Sequence, residues 1–127
     1  MSLLLDTYVF LWVVTRRTLS ERATNLFFDP ENRLYLSAAS YWEICIKRSI
    51  GKLALDRDWV NLFNSVLIAN EISWLPITQE HCQRIITLPM LHGDPFDRLL
   101  IAQALCEEMT LLTTDTNIMR YEVPTLW

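Results

Sequence analysis

A chain of 127 residues, 51% apolar and 20% charged, has the length of one domain and a composition that can build a core without disulfide or metal staples. Its net charge of −4 excludes a domain that grips nucleic acid through an overall basic face, though not an enzyme whose bound cations screen a polyanionic substrate. Cys45, Cys82 and Cys106 lie far apart with no CxxC spacing, which argues against a zinc site or a disulfide framework and predicts buried free thiols in a reducing compartment.

The first residues, MSLLLDTYVFLWVV, are apolar, but no Lys or Arg precedes the run and Asp6 interrupts it. No segment reaches the length of an uninterrupted membrane span, so the expectation is a cytoplasmic protein. SLLLD (2–6) has the pattern of a buried parallel strand, and TYVFLWVV reads as a helix. Residues 19–29 predict a second helix, capped by Ser20, with Ala23, Leu26 and Phe27 on one face. RLYLS (33–37) is a second strand, followed by a helix over 38–53 that Gly51 stops.

An amphipathic helix over 58–71 carries Val60, Phe63, Leu67 and Ile68 at helical spacing. ISWLPI (72–77) is a third strand, and 78–88 a helix opened by Thr78. The helix from Pro95 to Glu108 leads to a fourth strand at 110–114, a short helix at TNIMRY and an extended VPTLW. Strands alternating with helices, across connections too long for hairpins, predict an α/β fold: one domain over 1–127 with a mainly parallel sheet covered on both faces.

In such a sheet the chemistry gathers beyond the carboxyl ends of the strands. Asp6 follows the first strand and Asp115 the fourth. Asp97 lies in the first turn of the helix opened by Pro95, on a stripe shared with Ile101, Ala104 and Glu108. Glu43 lies early in the helix after the second strand. Each acid has an ordinary use. Asp6 and Asp115 suit helix caps, and Asp94 caps the helix that Pro95 begins. Asp97 suits a capping arrangement or the helix dipole. Glu43 precedes Lys47 by four residues, a solvated pair worth ~0.2–0.5 kcal/mol.

Together the four are expected to face one sheet edge, where mutual repulsion changes the balance. Two like charges at about 4 Å cost about 4 kcal/mol at an effective dielectric near 20. No lysine follows Lys52, and Arg98 is the base beside the cluster in sequence. A bound hard cation, Mg2+ or Mn2+, suits oxygen-only ligands.

LLLDTYVFLW, SAASYWEICIKRSIGKL, HGDPFDRLLIAQAL and LLTTDTNIMRYEVPTLW, in that order, resemble the successive motifs of PIN-domain ribonucleases, most of all the VapC-type toxins of bacterial toxin–antitoxin modules. The resemblance runs from residue 3 to 127. It implies a PIN-like three-layer α/β/α fold with a short, mainly parallel sheet, and places the acidic catalytic and metal-binding set on Asp6, Glu43, Asp97 and Asp115. Thr113 falls on the hydroxyl of the family's Thr-x-Asp pattern, orienting a carboxylate or a water. Asn117 stands where relatives are sometimes acidic, which implies weak binding of a second ion. Tyr8 stands where many relatives have His.

Asp94 is read as a cap that supports the site at most. Arg98 is read as restraining Asp97 in preference to contacting phosphate, and His92 and His81 as ordinary loop and helix residues. Trp12, Trp42 and Phe96 are expected in the core or an interface, and Trp127 packing the tail.

The resemblance further implies Mg2+- or Mn2+-dependent hydrolysis of RNA, often transfer RNA, leaving 5′-phosphate and 3′-hydroxyl ends. It implies a homodimer neutralised by a cognate antitoxin, for which RLLIAQAL and YVFLWVV offer apolar surface. Two rivals are a PIN-like binding module without turnover, which loss of acids would mark, and a receiver-type phosphoacceptor domain, which needs a late lysine. No acid of the set is missing and no such lysine is present.

Overall fold

Leu3, Leu4 and Leu5 have no solvent exposure, which puts the first strand in the middle of a sheet covered on both sides, where an apolar run replaces alternation. The computed structural model describes residues 1–127. Its strands are β1 (Ser2–Leu5), β2 (Arg33–Ser37), β3 (Ile72–Leu75), β4 (Thr110–Leu112) and β5 (Thr125–Leu126), in the order β3-β2-β1-β4-β5. Every pairing is parallel. The extended tail is thus a fifth strand, registered Leu111 to Thr125 and Leu112 to Leu126.

The helices are α1 (Thr7–Val14), α2 (Glu21–Phe28), α3 (Ala38–Ser49), α4 (Trp59–Ala69), α5 (Gln79–Ile85), α6 (Pro95–Cys106) and α7 (Thr116–Met119). Successive β1 side chains enter different cores, as a period of two requires. Leu3 and Leu5 pack with Val9, Phe10, Ile44 and Phe63 from α1, α3 and α4. Leu4 packs with Leu100, Ile101 and Ile118 from α6 and α7. The result is the expected three-layer α/β/α arrangement. No helix is long and apolar enough to cross a membrane.

Several local expectations change. α6 buries Leu99 to Ala104 without a break, so RLLIAQAL is a core helix and offers no surface to a partner. On α1, Val9, Phe10, Leu11 and Val14 are buried as well. The cysteines are free, but Cys82 is exposed and Cys45 and Cys106 only partly buried, because each stands off its helix's core-facing stripe. Trp127 does pack the tail, edge-on to Trp12 at 5.7 Å between ring centroids.

Gly51 (φ 75) follows α3 as expected, where a left-handed residue lets the Lys52 amide reach back to the Lys47 carbonyl at 2.8 Å. Three other helices end the same way without glycine, through Arg16, Glu71 and Glu108 at φ 58, 52 and 54.

The sheet order fixes where chemistry can sit. From β1 the chain builds outward through β2 and β3, then returns to place β4 on the other side of β1. Beyond the carboxyl ends of β1 and β4 the connections diverge and leave a crevice. Asp6 and Thr113 are the residues that emerge there.

Candidate active site

Asp6 is 4% exposed and stands at the N-cap position of α1, yet its side chain makes no capping hydrogen bond. The ordinary use for this acid is therefore not realised. Its Oδ2 instead accepts a 2.7 Å hydrogen bond from Thr113 Oγ1, across the β1–β4 crevice. The same Thr113 oxygen accepts from the Asp115 amide at 3.0 Å, so its own proton is committed to Asp6. The Thr-x-Asp pattern thus orients a carboxylate, as the sequence implied.

Asp115 does act as a cap, accepting from the Asn117 amide through Oδ1 at 2.8 Å, which leaves Oδ2 without a protein partner. Asn117 supports the site through that backbone amide alone. Its side chain is exposed, with Oδ1 3.5 Å from Arg120 Nη1.

Asp97 is held by a residue the sequence reading set aside. His92 Nε2 lies 3.0 Å from Asp97 Oδ2, so His92 is part of the site and not an ordinary loop residue. Arg98 does not restrain Asp97. Adjacent helical positions point about 100° apart, and Arg98 is buried on the neighbouring flank, donating to the Pro89 carbonyl at 2.8 Å and the Tyr121 hydroxyl at 3.0 Å. It is not placed to meet phosphate either. His81 is structural, as expected: its ring closes a capping box with Thr78 and meets Glu107 at 2.9 Å.

Glu43 is 3% exposed and one turn along α3 from Ser40, whose hydroxyl accepts from Thr7 at 2.9 Å. Its pairing with Lys47 is real but not solvated at the carboxylate: Lys47 Nζ meets Oε2 at 2.8 Å and also donates to the Tyr8 hydroxyl at 2.6 Å. Partial burial works against the ammonium, but Glu43 and Tyr8 outweigh it and hold the Lys47 pKa above the usual lysine range. Lys47, not Arg98, is therefore the base beside the acids.

The structure brings Asp6, Asp97 and Asp115 within reach of one another's fields and leaves Glu43 next to α1, engaged by lysine. Burial pushes the Asp6 carboxyl up to about 7. The Thr113 hydrogen bond opposes that, the charges of Asp97 and Asp115 add to it, and the Thr7 amide opposes it. Burial likewise raises Asp97 to about 6; the His92 hydrogen bond opposes this and the charges of Asp94 and Asp115 reinforce it. No three His, Cys, Asp or Glu side chains stand close enough to form a ready-made cage. The donor set nevertheless fits a hard cation. Asp6, Asp97 and Asp115 lie within reach of one another's charge, none is bonded to Lys or Arg, and at least one oxygen on Asp97 and on Asp115 accepts no hydrogen bond from the protein.

Trp42 is exposed at the start of α3 and stacks edge-on against Phe96 at 5.3 Å, so this aromatic pair lies on the surface beside the α6 N-terminus and not in the core. A groove of about 680 Å³, lined by Phe27, Phe28, Arg33, Ile68 and Glu71 among others, opens at the amino ends of β2 and β3, at the far end of the strands from the acids.

Asp94 caps α6 as expected, its Oδ1 accepting from the Phe96 and Asp97 amides at 2.9 and 3.0 Å. Asp94→Ala should cost about 1 kcal/mol in a urea or thermal unfolding curve, with any enzymatic rate at saturating cation changed far less. A lost rate with unchanged stability would make Asp94 a ligand.

A family model described as PIN domain matches residues 3–124. Among solved structures the chain is similar to one from VapBC2 of Rickettsia felis bound to a DNA fragment from their promoter, at a TM-score of 0.77 and 14% identity, covering 99% of this chain and 98% of that one. It is similar also to a chain of VapBC-1 from nontypeable Haemophilus influenzae, at a TM-score of 0.67 and 18% identity, covering 99% and 97%. At such identities the likeness speaks for the fold. No curated protein sequence matches the chain.

Proposed function

This chain belongs to the PIN domain family, and from that premise we propose that it is an endoribonuclease hydrolysing RNA phosphodiester bonds with Mg2+ or Mn2+, and the toxin of a VapC-type toxin–antitoxin pair. The observation that carries this reading is the buried acid set at the β1–β4 crevice. Asp6 and Asp97 are raised to about 7 and about 6 and have no lysine or arginine partner. A carboxylate group in that condition is stabilised by a divalent ion.

Asp6, Asp97 and Asp115 would hold the ion. Glu43 would join through Oε1, since Lys47 occupies Oε2. When bound, such an ion neutralises phosphate charge and activates water for in-line attack. The protein's own share is orientation. Thr113 turns Asp6 into the crevice, Asp115 is fixed by its cap to α7, and the N-terminus of α6 aims Asp97. Neither histidine is needed as a general base: His81 is buried and engaged, and His92 faces a carboxylate.

The likeness to chains of two VapBC complexes supports a cognate antitoxin as the partner, and we propose that a homodimer binds it in the cytoplasm. With α6 buried, the exposed apolar side chains that could meet it include Trp42 on α3 and Val60, Leu62 and Ile68 on α4.

The test is cleavage of single-stranded RNA, transfer RNA included, by the purified chain. We expect products with 5′-phosphate ends in Mg2+ or Mn2+, no cleavage in excess EDTA, and recovery when Mn2+ is restored. Full activity in EDTA would refute the metal mechanism.

A further inference from the structure

The contact between His92 and Asp97 is one link of a closed loop. His92 Nδ1 lies 2.7 Å from the Tyr121 hydroxyl. That oxygen accepts from Arg98 Nη1 at 3.0 Å and from the His92 backbone amide at 3.3 Å. A guanidinium and an amide can only donate, so they occupy the phenol's lone pairs and leave its proton directed at His92 Nδ1. Nδ1 is then an acceptor, and the neutral ring carries its hydrogen on Nε2, facing Asp97. The carboxylate, which when ionised only accepts, demands the same tautomer from the other side.

The loop leaves α6 at Arg98 and returns to it one residue earlier, at Asp97. Its anchors are buried and bonded: Tyr121 is 5% exposed, and Arg98 also donates to the Pro89 carbonyl. We propose that His92 is the positioning residue for Asp97, its Nε2–H holding Oδ2, with Tyr121 and Arg98 fixing the tautomer, so that Oδ1 is the oxygen presented to a divalent cation. The inference rests on Asp97 being a cation ligand. Groups that orient a ligand from behind typically change cation affinity or activity about 10–100-fold when removed.

The experiment combines Mn2+ titration, read by electron paramagnetic resonance of the free ion, with ring-nitrogen NMR of wild type, His92→Gln, His92→Ala and Tyr121→Phe. In the wild-type chain the His92 signals should show a protonated Nε2 and a bare Nδ1. His92→Ala should weaken Mn2+ binding about 10–100-fold. His92→Gln, whose amide can donate to Asp97 and accept from Tyr121, should recover most of that loss. Tyr121→Phe should bind Mn2+ more weakly than wild type.

A wild-type ring protonated on Nδ1 alone would overturn the proposal even if His92→Ala failed to fold. So would wild-type affinity in His92→Ala, or a folded His92→Gln no better than His92→Ala. Those results leave the nuclease reading intact. A wild-type chain that binds no Mn2+ overturns both.

Discussion

Asp97→Asn should leave a folded chain whose Mg2+- or Mn2+-dependent cleavage of RNA falls at least about 100-fold, equivalent to about 2.7 kcal/mol of lost transition-state stabilisation. The substitution keeps shape and keeps an oxygen to accept from His92 Nε2, now 3.0 Å away. What it removes is charge. Asp97 stands in the first turn of α6 with its carboxyl raised to about 6 by burial, so neutralising it costs the fold little while taking an anionic ligand from the crevice. Sequencing the RNA ends produced by wild type and variant, with circular dichroism on both, separates chemistry from folding. Cleavage by the variant at the wild-type rate would remove Asp97 from the mechanism.

Asp6→Asn should do two opposite things: abolish cleavage, and make the cation-free protein more stable than wild type by about 1–3 kcal/mol near pH 7–8, or several degrees in Tm. Asp6 has an ordinary carboxyl value of 3.8 in the unfolded chain and about 7 in the fold. Its contribution to stability is fully present below pH 3.8, where both states are protonated. It is lost as pH rises through about 7, where the fold must bury a charge that the unfolded chain carries at no penalty.

An asparagine avoids that ionisation and can still accept from Thr113. The gap between variant and wild type should therefore close on acidification toward pH 4. It should also narrow on adding Mg2+ or Mn2+, because a cation that binds only the native wild type stabilises it. Thermal melts of both proteins across pH 4–8, with and without the ion, give the result. A less stable Asp6→Asn chain at pH 7–8 would contradict the account.

Most of the sheet was legible because its signal is local. The apolar run at 2–5 needs burial on both faces, which a parallel sheet between helix layers supplies, and the short strands at 33–37, 72–75 and 110–112 alternate with helices across connections too long for hairpins. Helix starts were equally plain: Ser20, Thr78 and Asp94 each make the cap their sequence context suggests. Helix ends were less so. The helical periodicity of α6 continues to Glu108, whereas the helix stops at Cys106 and turns through a left-handed Glu108. Where no glycine marks the stop, the stop depends on packing.

The acids stand out in sequence by their places after strands or in a helix's first turn, and in the fold Asp97 and Asp115 act electrostatically on Asp6. Of the bases beside them, Lys47 was legible as the i,i+4 partner of Glu43, but the direction of Arg98 and the hold of Tyr8 on Lys47 were not. Arg98 is next to Asp97 in sequence but points to another flank, while Lys47 arrives through the i,i+4 geometry of α3 and is held by Tyr8 from α1. His92 was missed for a similar reason. It precedes Asp97 by five residues across a non-helical turn, and only the position of Tyr121, 29 residues downstream, turns its ring toward the carboxylate. Such contacts are set by tertiary packing, for which a single sequence carries no local pattern.

X-ray diffraction from crystals grown with Mn2+, with data collected at the manganese absorption edge, addresses the site itself. An anomalous peak is expected in the β1–β4 crevice within about 2.0–2.3 Å of carboxylate oxygens from Asp6 and Asp97, with Asp115 on the same ion directly or through water. Anomalous density absent from that crevice at saturating Mn2+, with the three aspartates directed away from one another, would contradict the metal mechanism.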